Sequence, residues 1–107
     1  MEWYSIEYLY PDSFKKFVEE MFPNVGLLSL STLDYYDTKK LYQFFDKHGI
    51  YLTIEMYNPH LWGFSISLDN GFVLGQTKES KKTREDIECE GFFECFRILN
   101  ERIKDKK

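Results

Sequence analysis

Apolar residues recur along this chain with two different periods, and the periods divide it into elements. In "PDSFKKFVEEMFP" (11–23), Phe14, Phe17, Val18, Met21 and Phe22 follow the i, i+3, i+4, i+7, i+8 rule for one apolar helix face. Asp12 or Ser13 is the expected cap of its start, and Pro23 disfavours continuation. "DTKKLYQFFDKHG" (37–49) predicts a second helix: Asp37 is placed to cap it, Leu41, Phe44, Phe45 and His48 share a face, and Gly49 suits the left-handed position after its end. A long last helix is expected over about residues 83–104. Thr83 and Asp86 stand in capping-box spacing, and Ile87, Gly91, Phe92, Cys95, Phe96, Ile98, Leu99 and Ile103 fall within one half of its wheel. Gly91 costs roughly 1 kcal/mol of helix propensity, which a close approach to a sheet would explain. Glu88 falls inside the apolar arc, and the expectation is that it overhangs the sheet and reaches water; the sharper alternative is a buried partner such as Arg84 or His60.

Between those helices the period falls to two. "IYLTIEMY" (50–57), "LWGFSISL" (61–68) and "FVLGQT" (72–77) predict three strands, with Ile50, Leu52, Ile54 and Met56, then Trp62, Phe64, Ile66 and Leu68, on one face. A one-residue slip would move every side chain to the other face. A loop at Asn58-Pro59-His60 pairs Met56 with Trp62 and Ile54 with Phe64. A loop at Asp69-Asn70-Gly71 pairs Ile66 with Leu74 and Leu68 with Phe72, and it supplies the glycine that a type I turn with a G1 bulge requires. The opposite face is small and polar in its middle (Ser65, Ser67, Gly75), with Tyr51 and Tyr57 on its edge strand. "WYSIEYLY" (3–10) fits either a strand, with Tyr4, Ile6, Tyr8 and Tyr10 on one parity, or a first helical turn. Residues 24–33 form a connector. Together these elements predict one α+β domain over residues 1–107. It is a three-stranded antiparallel meander with helices on one face, in the order (β/α)-α-α-β-β-β-α, and the N-terminal segment joins the sheet if it is extended.

Composition narrows the function. The 107 residues are 43 % hydrophobic and 19 % aromatic, so one modest core rich in Phe and Tyr is expected. The net charge is −4, unevenly placed: residues 1–77 carry 5 basic and 10 acidic side chains, residues 78–107 carry 9 and 8. A dedicated nucleic-acid binder is usually basic over the whole domain. The two cysteines, Cys89 and Cys95, would lie roughly 9 Å apart along a helix axis and on different sides of it, too far for a disulfide. Free thiols suit a reducing cytosol. No apolar run approaches the ~20 residues that span a bilayer, so neither a membrane contact nor a leader is expected.

Chemistry-bearing residues are few. His60 lies in a turn beside Pro59, His48 sits on the apolar side of its helix near the C-terminus, and Cys89 stands among acids that blunt a thiol. No nucleophile elbow, phosphate loop, dinucleotide fingerprint or zinc helix is present, so no enzyme activity, cofactor or metal is expected.

The order helix, three antiparallel strands, helix over residues 34–104 resembles the double-stranded RNA-binding domain. "NPHLWGF" (58–64) is similar to that family's Gly-Pro-x-His loop with an aromatic four residues on, in Pro59, His60 and Phe64. "NGFVLG" (70–75) is similar to its second hairpin, and "SKK" (80–82) to the Ser-Lys-Lys that opens its last helix. In this chain Pro59 and His60 are adjacent, and Glu85 stands where the family has a third lysine. Residues 80–103 are equally similar to the last helix of small uncharacterised bacterial and phage proteins. The resemblance implies a phosphate grip at Lys78, Lys81, Lys82, Arg84 and His60, which Lys39 and Lys40 would reinforce if they share its face. Elementary electrostatics opposes it: Glu85 and Asp86 already occupy the positive end of the helix dipole. The first expectation is therefore a small non-catalytic cytosolic protein that works by protein contact or self-association. Its contact surface would be aromatic, at Tyr35, Tyr36, Tyr51 and Tyr57, with Trp3 and Tyr4 where exposed; duplex RNA binding is the alternative.

Overall fold

The computed structural model describes residues 3–21, 38–59, 61–71, 73–80 and 83–105, with the backbone alone described at 3–5, 38, 57 and 73–80. Four helices, α1 (Trp3–Leu9), α2 (Pro11–Met21), α3 (Thr38–Lys47) and α4 (Arg84–Asp105), flank the strands β1 (Ile50–Asn58), β2 (Leu61–Leu68) and β3 (Val73–Ser80). The first segment is helical, not extended: the Tyr10 amide donates to the Ile6 carbonyl at 2.8 Å, an i to i−4 bond. Pro11 then opens α2, where its missing N–H is no loss.

The expected three-stranded meander with helices on one face is corrected. The helix-covered sheet is a two-stranded antiparallel pair, because every sheet side chain among the described core residues belongs to β1 or β2. The β3 backbone pairs with the outer side of β2. Its sequence, "VLGQTKES", turns polar after two residues and has little to bury. The pairings Met56 with Trp62, Ile54 with Phe64 and Ile66 with Leu74 occur as the alternation predicts. Gly71 takes φ +86° in the turn after β2, while Phe72 lies outside the described residues.

The core is a pile of rings. Phe17, Phe44, Phe45, Phe92 and Phe96 are fully buried, each contributing about 1.5–3 kcal/mol through burial alone. Edge-on contacts join Phe17 to Phe44 at 5.1 Å, Phe44 to Phe45 at 5.0 Å and Phe45 to Phe96 at 4.9 Å. α4 lies across β1 and β2, and Gly91 packs tightly against Leu52 of β1. A Cβ there would stand 2.6 Å from Leu52 Cδ1, which explains a glycine inside a helix.

Two helix termini are closed by distant residues. The expected cap of α2, Asp12 or Ser13, is corrected: the carbonyl oxygen of buried Asn100 on α4 accepts from the amides of Asp12 (3.0 Å) and Ser13 (3.1 Å). The Ser13 hydroxyl turns instead to the Phe96 carbonyl at 2.9 Å. α3 ends at Gly49, which takes φ +73° and has no room for a Cβ beside Asp69. Arg102 from α4 donates to the His48 carbonyl at 3.0 Å and to Asp69 at 3.2 Å, tying the end of α3 to the turn after β2. The α4 capping box forms as expected, with Thr83 and Asp86 each accepting from the other's amide at 3.2 Å.

Candidate functional site

Strand alternation turns Ile50, Leu52, Ile54, Phe64, Ile66 and Leu68 toward the helices, so Tyr51, Thr53, Glu55, Ser65 and Ser67 lie on the opposite side, which no described helix covers. Register stacks Tyr51 beside Ser67 and Val73, and Thr53 beside Ser65 and Gly75. The middle of this face is therefore low, and Tyr51, 43 % exposed, stands at its rim. Thr53 is exposed next to it. Glu55 leans inward and accepts from the Ser65 hydroxyl at 3.5 Å. Met56 has core parity but lies past the helix cover and is 58 % exposed. On the other side of the molecule Tyr8, 85 % exposed, and Leu9 project from α1.

Of the contact residues expected from sequence, Tyr51 is thus placed at the surface. Tyr57 lies in β1 with its side chain outside the described residues, as are the side chains of Trp3 and Tyr4; Tyr35 and Tyr36 fall wholly outside them. The basic constellation is equally thin. Arg84 is the exposed first residue of α4 and Lys78 lies on the β3 backbone, while Lys81, Lys82 and His60 lie outside the described residues. Lys39 is exposed on α3, and Lys40 donates to the Met21 carbonyl at the end of α2 at 3.3 Å. Beside Arg84, Glu85 and Asp86 occupy the first turn of α4.

The buried polar groups were less legible. Glu88 is corrected: it does not reach water but is 8 % exposed, and its carboxylate accepts from the Tyr42 hydroxyl at 2.7 Å. Burial first, and then that carboxylate, push the Tyr42 phenol well above its usual range, so it stays a donor. His48 is not merely a dipole-favoured terminal histidine. Its Nε2 lies 3.1 Å from both oxygens of Glu20, which also receives Lys47 at 3.0 Å and Lys16 at 3.5 Å. Burial alone would raise the Glu20 carboxyl, but the hydrogen bonds and charges of Lys47 and His48 outweigh it and hold it below its ordinary value. Both cysteines are free; Cys95 is buried, and its thiol is pushed far up by that burial. Cys89 is half-buried.

Among the described residues no group of three or more His, Cys, Asp or Glu side chains converges as a metal site would. No helix among them is long and apolar enough to cross a membrane. An open groove between α2 and α4, lined by Asp12, Lys15, Lys16, Glu19 and Ile103, mixes both signs of charge. Comparison with known proteins finds no family model, no curated protein and no solved structure that matches this chain.

Proposed function

We propose that this chain is a small non-catalytic protein that works by protein contact through the side of its sheet that no described helix covers. The observation that supports this reading is the low, small-residue face beside β1, rimmed by exposed Tyr51 and Thr53. An aromatic at the edge of a flat surface supplies contact area at little cost in side-chain entropy. Of the described groups able to do chemistry, His48 holds Glu20 and Cys95 is enclosed in the core, while the Cys89 thiol is half-buried. The free thiols fit a reducing compartment such as the cytosol.

A photo-crosslinking side chain at position 51, in the native cell, is expected to capture a discrete species larger than the chain. The same label at Lys104, exposed near the end of α4, serves as control. Absence of a product at position 51 would remove the reading. Duplex RNA binding remains the competing outcome. Among its side chains only Arg84 is described, and Glu85 and Asp86 beside it repel phosphate. Affinity for a duplex that falls steeply with salt, and a slope reduced by Lys81→Ala with Lys82→Ala, would favour that alternative.

A further inference from the structure

We infer that Asn70 is a site of spontaneous covalent modification: its side-chain amide is lost as ammonia through a cyclic imide, leaving a mixture of aspartate and isoaspartate at the tip of the β2–β3 turn. The chain has four asparagines, Asn24, Asn58, Asn70 and Asn100. Closing the imide ring needs the backbone nitrogen of the next residue to reach the asparagine Cγ and to give up its proton. Asn58 precedes Pro59, whose nitrogen carries no proton. Asn24 precedes Val25, whose branched side chain crowds the approach. Asn100 lies buried in α4, with its oxygen held by the amides of Asp12 and Ser13. Asn70 alone precedes a glycine, which offers no side chain to obstruct the ring.

The turn supplies access. Asn70 and Gly71 are both exposed, and a Cβ placed on Gly71 would meet nothing within 4 Å, so the chain is open on that side. The turn also restrains the reaction. The Gly71 amide donates to the Leu68 carbonyl at 2.9 Å, closing a β-turn over Asp69 and Asn70. An imide nitrogen has no hydrogen, so ring closure must break that bond. Modification therefore proceeds through local opening of the hairpin tip.

The steps need only water. A solvent base takes the Gly71 N–H proton, and the nitrogen attacks Asn70 Cγ. The new N–Cγ bond forms as the Cγ–Nδ2 bond breaks, and ammonia leaves with a proton from water. One water then opens the ring: attack at Cγ gives aspartate, and attack at the main-chain carbonyl gives isoaspartate. Either product adds a carboxylate next to Asp69, which already pairs with Arg102 at 3.2 Å. Isoaspartate also routes the backbone through Cβ and Cγ, lengthening the connection between the paired Ser67 and Val73.

The test ages the full chain at mildly alkaline pH in heavy-oxygen water and maps its peptides by mass spectrometry. Residue 70 is expected to convert to both acids while Asn58 and Asn100 stay amides. Heavy oxygen in the new carboxyl marks conversion during ageing, not during digestion. In denaturant, where the Leu68–Gly71 bond is absent, conversion at residue 70 should run about tenfold faster, the worth of one net hydrogen bond. Gly71→Ala, compared with the wild type in denaturant so that turn strain plays no part, should slow it severalfold. Asn70→Gln, whose side chain is one carbon longer, should nearly abolish it. A folded chain that keeps Asn70 intact while the denatured chain loses it completely overturns the inference. Aspartate formed without isoaspartate marks direct hydrolysis of the amide and overturns it too, as does a rate indifferent to both substitutions.

Discussion

Asn100 shows how much one residue can hold. It is buried on α4, and its side-chain oxygen accepts the two amides that open α2. Replacement by alanine leaves two donors without an acceptor in a space too closed for full hydration. Asn100→Ala should cost about 1–3 kcal/mol, read from the denaturation midpoint. Asn100→Asp keeps an acceptor at the positive end of α2 and should recover most of the loss. Equal losses for the two variants would mean that packing, not capping, is what Asn100 supplies.

At the scale of elements, α2 and α3 are tied by Glu20, which gathers Lys16, Lys47 and His48. Its carboxyl is held below its ordinary value of 4.5, so the folded state binds its proton more weakly than the unfolded state does. The resulting stabilisation is whole above pH 4.5 and drops away as pH falls through the lowered folded value. The gap in stability between wild type and Glu20→Gln should therefore close as the pH falls below the ordinary carboxyl range. A gap that widened in acid would contradict this junction. The α3–β1 join is separately secured by Gly49, whose backbone is left-handed, and by Arg102.

At the scale of the whole molecule, acidic residues outnumber basic ones, 18 to 14. The net charge of −4 makes a distributed phosphate-binding surface a poor fit.

Local periodicity was enough to find the faces of α2, α3 and α4, the pairing of Ile54 with Phe64, the Thr83–Asp86 box and the glycine after α3, because each is decided within a few neighbouring residues. It also placed Tyr51 on the outer face, since side chains alternate along a strand. The N-terminal segment was undecided because its tyrosines suit either period, and the Ile6–Tyr10 bond settled it as helix. Asn100 and the α2 start are 88 positions apart, and Glu88 and Tyr42 are 46 apart. No repeat in the chain marks such pairs; they exist only where packing brings two helices together. Sequence by itself determined which residues could be buried and in what register the strands lie. Tertiary structure decided which polar groups are enclosed and by whom, because that depends on what the rest of the chain covers.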